Sequence, residues 1–119
     1  MASMQILRAV PIVVVDDLRV SVASYQAVFG CDILMDHGWT VTLGSTPSGA
    51  QFSLMETDQT ALINPTVSIQ VPNLDRAYDA AVKAGLGILH PLTDENWGVR
   101  RFFFRDPAGN VINVLTHSV

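Results

Sequence analysis

The sequence predicts an α+β fold in which a β-α-β-β-β module occurs twice, so that two half-barrels form a cup. Three observations predict it. An apolar strand runs directly into an amphipathic helix, three short strands follow, and the same order of elements recurs 56 residues later. That shift places Val10 over Thr66 and Leu18 over Leu74. A repeat of this kind constrains the whole architecture, because each copy must build the same unit.

The first module covers about residues 6–56 and begins with the strand Ala9–Val15, which is rich in β-branched residues. The segment Leu18–Phe29 is predicted to be helical because its apolar residues recur at three- and four-residue steps. Gly30 then suits the C-cap of that helix. Three further strands are predicted in this module: Asp32–Asp36, Trp39–Leu43 and Gln51–Met55.

The second module covers about residues 66–117 and begins with Thr66–Val71, where polar and apolar residues alternate strictly. A helix is predicted over Leu74–Ala84, between Asn73 and Gly85. The remaining strands are Ile88–His90, Arg100–Arg105 and Val111–Leu115. Only nine residues connect the modules, so we expect residues 1–119 to form a single domain.

The last two strands are predicted to form a β-hairpin around the turn Asp106–Asn110. Pro107 suits the first central position of such a turn, and Gly109 can take a positive φ. This hairpin closes the second module.

The composition is that of a globular protein, with 49% hydrophobic and 15% charged residues. The net charge is −4 and the chain has only seven lysines and arginines, which argues against a nucleic-acid partner. Three of them, Arg100, Arg101 and Arg105, lie on the hairpin, where we expect a solvated edge.

The chain has one cysteine, Cys31, and therefore no intrachain disulfide, which is typical of a reducing compartment. The longest apolar run, Ala9–Val15, is too short to span a membrane. We therefore expect a cytoplasmic protein without a membrane partner.

Two stretches carry a resemblance to a known family. They are AVPIVVVDDLRVSVASYQAVFG near the start and WGVRRFFFRDPAGNVI near the end. Together with the repeat, they resemble the vicinal oxygen chelate superfamily of glyoxalases, bleomycin resistance proteins and ring-cleaving dioxygenases. The match is most similar to the bleomycin resistance branch.

The resemblance implies a divalent metal held by four side chains in the enzymes of the family. The corresponding positions of this chain are Val10, Ser53, Thr66 and Asn113, and none of them is His, Glu, Asp or Gln. Such residues are poor metal ligands, so we expect neither a metal nor another cofactor.

The three histidines do not replace the missing ligands in the sequence. His37, His90 and His117 lack the spacing of a shared metal site, and we expect them to be surface or structural residues. Asp94 and Glu95 are expected to belong to a solvated loop.

Strand alternation predicts which residues line the cup. Its hydrogen-bonding side chains would be Gln51, Ser53, Thr66, Ser68 and Asn113, while the alternate residues pack beneath the helices. The resemblance adds three aromatic side chains that stack on a flat ligand: Trp39, Trp97 and Phe103. It also implies a homodimer.

The leading hypothesis is a metal-free protein that sequesters a flat small molecule, such as a cationic antibiotic, without catalysis. The first alternative is a glyoxalase-like lyase or a dioxygenase with an atypical metal site. The second is a metal-free enzyme that uses His37 or Glu56 as a base.

Overall fold

The structure is a computed structural model that describes residues 4–117. It confirms the predicted α+β class with two β-α-β-β-β modules. The elements are β1 (Arg8–Val14), α1 (Leu18–Phe29), β2 (Asp32–Asp36), β3 (Thr40–Gly44), β4 (Gln51–Met55), β5 (Val67–Gln70), α2 (Leu74–Lys83), β6 (Gly87–Asp94), β7 (Val99–Arg105) and β8 (Val111–His117). No helix within residues 4–117 is long and apolar enough to cross a membrane.

The described chain forms two compact units. The N-terminal unit is Val10–Asn64, and the C-terminal unit consists of residues 65–117 together with residues 4–9. That the chain is one domain stays a prediction.

In the N-terminal unit the strands lie in the order β2-β3-β4-β1, with β4 parallel to β1 and antiparallel to β3. Helix α1 packs on one face of this sheet, over a core of Leu18, Val22, Val41, Leu43 and Leu54. Two carboxylates cap the helix: Asp17 accepts from the Val20 N–H at 3.2 Å, and Glu56 accepts from the Leu18 N–H at 2.8 Å. Orphan N–H groups at a helix start need such partners. Glu56 therefore has a structural role in this unit.

In the C-terminal unit the strands lie in the order β5-β8-β7-β6, and α2 packs on one face. The buried core there is Val71, Leu74, Ala81, Phe102 and Val114. Ile69, Phe104 and Ile112 pack against it, which confirms the predicted alternation of these strands. Phe102 and Phe104 thus lie beneath α2, whereas Phe103 points to the opposite face.

Strand β6 is longer than predicted. It runs from Gly87 to Asp94, and the prediction that it ends at His90 is wrong. Pro91 does not stop it because β6 is the last strand of this sheet, where a missing N–H costs no ladder hydrogen bond. Its register against β7 shifts between His90 and Thr93, which marks a bulge.

The turn between β7 and β8 is organised by Asp106. Its carboxylate accepts from the backbone N–H groups of Ala108 (3.0 Å) and Asn110 (2.8 Å), and from the Asn110 side-chain amide at 2.9 Å. Gly109 has a φ of 91°, as the turn requires. These hydrogen bonds, first of all the one from the Asn110 side chain, lower the pKa of Asp106 below its usual range.

We expect Asp106→Ala to destabilise the protein more at neutral than at acid pH. A carboxyl group whose pKa is lowered by folding stabilises the folded state above its unfolded pKa of about 3.9. That contribution is lost as the pH falls through the lower, folded pKa. Urea denaturation at pH 7 and in strong acid measures the difference, with the exposed Asp79→Ala as the control. An equal deficit at both pH values would contradict this role.

Candidate functional site

The sheet face opposite α2 in the C-terminal unit carries a row of side chains on four neighbouring strands. Ser68 pairs with Asn113, Asn113 with Phe103, and Phe103 with His90. Paired residues project from the same face of a sheet, so these four side chains lie side by side. We call this face the polar face; it also carries Arg101, two residues from Phe103 on β7.

Asn113 is the central polar group of this row. Only 4% of it is exposed, and its Nδ2 donates to Ser68 Oγ at 2.9 Å. Its Oδ1 is buried and accepts no hydrogen bond from any described residue. A buried acceptor without a partner costs about 1–3 kcal/mol, and native proteins hold few of them. An unsatisfied acceptor at this place is therefore a candidate ligand contact.

A buried charged network lies beside the row. Arg101 is 1% exposed, and its Nε donates to Glu95 Oε2 at 2.6 Å. The same carboxylate oxygen lies 3.0 Å from His90 Nε2. The Arg101 guanidinium lies 4.9 Å from the centre of the Trp97 ring and 4.7 Å from that of Phe103. Cation–π attraction and the carboxylate together hold the arginine in one position.

This network overturns two expectations. Arg101 does not lie at a solvated edge, and Glu95 does not belong to a solvated loop, since its side chain is only 5% exposed. The reason is the longer β6, which carries the chain to a short turn before β7 and brings Glu95 against Arg101. The signal was available in the sequence: Arg101 alternates with Phe103 and therefore shares its face. Arg105 is exposed, as expected.

In the N-terminal unit, two hydroxyl groups on the neighbouring strands β3 and β4 form a hydrogen-bonded pair. Ser53 Oγ on β4 lies 2.9 Å from Thr42 Oγ1 on β3, and both residues are buried. The β1 neighbour of Ser53 is Ile12, which has no ligating atom. Gln51 begins β4, and Trp39 is half-buried one residue before β3.

The predicted site residues thus fall into three groups. Ser68, Phe103 and Asn113 share the polar face, and Trp97 adjoins it through Arg101. Gln51, Ser53 and Trp39 lie in the N-terminal unit. Thr66 is exposed and precedes β5, with its N–H donating to the Val111 carbonyl. Phe103 is fully buried against Arg101 and His90, so its role as a ligand contact stays a prediction.

The N-terminal unit also contains a pocket of about 360 Å³ between the end of α1 and the β3–β4 connection. Phe29, Phe52 and Cys31 form part of its wall, and Gln51 borders it. Cys31 is half-buried and packs against the core of this unit, as a small packing residue does.

Comparison with known proteins identifies the family. A sequence model described as the Glyoxalase/Bleomycin resistance protein/Dioxygenase superfamily matches residues 5–114. The chain belongs to this superfamily. No curated protein sequence matches it. Membership in the superfamily agrees with the doubled β-α-β-β-β module.

Several solved structures share the fold at low sequence identity. A superfamily member from Vibrio splendidus 12B01 is 18% identical, with a TM-score of 0.69 over 94% of this chain and 99% of that chain. Methylmalonyl-CoA epimerase from Mycobacterium tuberculosis is 17% identical, with a TM-score of 0.78 over 100% and 93%. An extradiol ring-cleaving dioxygenase from B. fuscum is 20% identical, with a TM-score of 0.69 over 98% of this chain but 34% of that chain. At these identities the likeness shows the fold alone.

The residues of this superfamily member do not fit the divalent metal that the enzymes of the family imply. Within residues 4–117, no three His, Cys, Asp or Glu side chains are grouped as a metal ion would require. Of the implied positions, Ser53 pairs with Ile12 and Asn113 pairs with Ser68, so Val10 and Thr66 are not their strand partners. These side chains are neutral or apolar, and neutral oxygens alone make a poor site for a catalytic divalent metal.

Proposed function

We propose that this chain is a metal-free small-molecule-binding protein that resembles the bleomycin resistance branch of its superfamily. It sequesters a flat ligand, such as a cationic or amphiphilic antibiotic. The observation that carries the proposal is the Ser68–Asn113 pair, in which Asn113 occupies a position implied for a metal ligand in the enzymes of the family and offers a buried hydrogen-bond acceptor instead.

The chemistry of the polar face supports binding rather than bond cleavage. Ser68 and Asn113 are not ionisable, and they bond to each other. Glu95, a carboxylate that contacts His90 of the row, already accepts a hydrogen bond from Arg101. Sequestration requires only affinity, which a partly buried aromatic ring such as Trp97 can increase by stacking.

A lyase or dioxygenase with an atypical metal site is the alternative. His90 and Glu95 are residues of ligand type and lie 3.0 Å apart. However, the buried Arg101 guanidinium lies 2.6 Å from the same carboxylate oxygen, so a divalent cation there would face a buried positive charge. This electrostatic conflict disfavours a metal at His90 and Glu95.

Ligand-induced stabilisation tests the proposal. We expect a panel of glycopeptide antibiotics and flat aromatic cations to contain members that raise the Tm of the untagged protein in a saturable manner. A ligand at 100 times its Kd adds about 2.7 kcal/mol to the free energy of unfolding. Metal content is measured in parallel by mass spectrometry, before and after incubation with nickel, zinc, manganese and ferrous iron.

One result would overturn the proposal, and a second would narrow it. One tightly bound metal per chain, with turnover of a glyoxalase or catechol substrate, would favour the enzyme. No response to any compound of the panel would remove the antibiotic from the proposal.

We also propose that the protein is a homodimer. Large apolar side chains are exposed at the end of α1 and on β2, the last strand of the N-terminal sheet: Val28, Phe29, Ile33 and Leu34. A second copy that covers them would remove this apolar surface from water. Sedimentation should give a dimer for the native chain and a monomer for Ile33→Lys.

A further inference from the structure

We infer that the Ser68–Asn113 pair recognises an amide or lactam edge of the ligand, that is, an N–H donor next to a C=O acceptor. The inference rests on the proposed small-molecule-binding function and names the chemical class that this site selects. It follows from the hydrogen-bonding capacity that the two side chains leave unused.

The count of donors and acceptors shows what is available. An asparagine side chain has two donor hydrogens on Nδ2 and an acceptor Oδ1, while a serine hydroxyl donates once and accepts twice. Here one Nδ2 hydrogen is given to Ser68 Oγ at 2.9 Å, and Oδ1 accepts nothing from the described residues. Ser68 acts as the acceptor in this bond, and its own hydrogen donates to none of the described residues.

The pair therefore presents one acceptor, Asn113 Oδ1, beside two donors, Asn113 Nδ2 and the Ser68 hydroxyl. A lactam or cis amide carries the complementary groups on one edge, its N–H towards Oδ1 and its C=O towards Nδ2 or the serine hydroxyl. A ligand with only acceptors, such as an ether or a tertiary amide, would leave Oδ1 unsatisfied.

The surroundings favour a ligand with an apolar body. Val111 and Leu115 flank Asn113 on the same face of β8, and each is 6% exposed. Arg101 and Glu95, the ion pair beside the row, lie 2.6 Å apart and compensate each other's charge. A flat ligand with a neutral amide edge thus meets apolar walls and one polar edge, and any cationic group of that ligand must lie away from this edge, where it stays hydrated.

Sites that hydrogen-bond a buried ligand group discriminate strongly against analogues without it, because the protein group is then left unpaired. For a single buried acceptor we expect at least about tenfold selectivity, the factor that corresponds to about 1.4 kcal/mol.

The experiment compares 2-pyridone with N-methyl-2-pyridone, in which a methyl group replaces the N–H hydrogen and so removes the donor. Binding to the full chain is followed by ¹H–¹⁵N correlation spectra. The Asn113 side-chain amide signals are assigned by their loss in Asn113→Asp. We expect 2-pyridone to shift these signals at millimolar concentration and the N-methyl compound to bind at least about tenfold more weakly.

Matched variants test the assignment. Asn113→Asp keeps the shape but replaces the donor amide by a charged acceptor, and Ser68→Ala removes the hydroxyl; each should weaken 2-pyridone about tenfold or more. The control is Asn73→Asp, the same chemical change at the exposed cap of α2, where aspartate is an equally good cap. Its affinity should equal that of the native chain.

The outcomes separate this inference from the function on which it rests. Equal binding of the two pyridones, or full affinity in Asn113→Asp, would overturn the amide assignment. If neither pyridone binds while a compound of the antibiotic panel does, the amide assignment fails and the binding function stands. If no compound binds in either experiment, the amide assignment and the proposed binding function both fail.

Discussion

Arg101→Met is expected to lower the free energy of unfolding by about 3–5 kcal/mol, because it leaves the Glu95 carboxylate buried without its cation. The arginine is 1% exposed and the Glu95 side chain 5%. Exposed ion pairs contribute about 0–1 kcal/mol to stability. The Arg101–Glu95 pair, with its contact of 2.6 Å, is buried, so we expect its disruption to cost more. A methionine side chain fills much of the space that Arg101 occupies beside Trp97 and Phe103. The expected loss of stability therefore comes from the missing charge and not from a cavity.

A double variant separates the charge from the packing. Glu95→Gln combined with Arg101→Met removes both charges, and we expect it to regain a large part of the lost stability. Arg101→Lys should be intermediate, since an ammonium group cannot replace the planar guanidinium between the two rings. Urea denaturation measures all three. A deficit below about 1 kcal/mol in Arg101→Met would show that the pair behaves as an exposed one.

The buried network also explains why the polar face can hold an unsatisfied acceptor. Arg101, Glu95 and His90 bond to one another, so none of them needs Asn113 as a partner. Phe103 stands between the network and Asn113 in the row. The face thus has a charged part, whose members bond to one another, and a neutral part, in which Asn113 Oδ1 accepts no hydrogen bond from the described residues.

Elements fixed by local signals were predicted well from the sequence. Helix α1 has the predicted bounds because its ends depend on neighbours in the chain, the Asp17 cap and Gly30, which has a φ of 63°. Strands β2 and β4 also have the predicted bounds. The same holds for the hairpin turn, where Asp106 and Gly109 are read directly from the sequence.

Features that depend on distant contacts were predicted less well. The extension of β6 past Pro91 requires the knowledge that this strand is the last of its sheet. The burial of Arg101 requires that Glu95 and two aromatic rings surround it, which composition and charge do not reveal. The unsatisfied Oδ1 of Asn113 depends on which neighbour its amide bonds to, and only the β5–β8 register shows that this neighbour is Ser68.

The three consecutive phenylalanines of β7 project to both faces of the sheet. Phe102 and Phe104 lie beneath α2, while Phe103 packs against Arg101 and His90 on the polar face. An uninterrupted apolar run is typical of a strand that is buried on both faces. Stability and ligand binding should therefore respond differently to substitutions at neighbouring positions of this strand.

Phe102→Ala is expected to cost about 3–5 kcal/mol, because it removes a fully buried ring and leaves a cavity beneath α2. Its ring meets that of Tyr78 edge to face at 5.1 Å, a contact that is lost as well. Phe104→Ala is the matched control: the residue is half-buried at the rim of the same core, so its loss should be smaller. Urea denaturation of both variants gives the comparison.

The same variant should leave ligand recognition intact in the folded molecules. Phe102 points away from Ser68 and Asn113, so the affinity for 2-pyridone measured well below the Tm should match that of the native chain. A loss of affinity equal to that of Asn113→Asp would show that the α2 core and the polar face are energetically coupled.

A larger stability loss in Phe104→Ala than in Phe102→Ala would contradict the assignment of Phe102 as the central residue of this core.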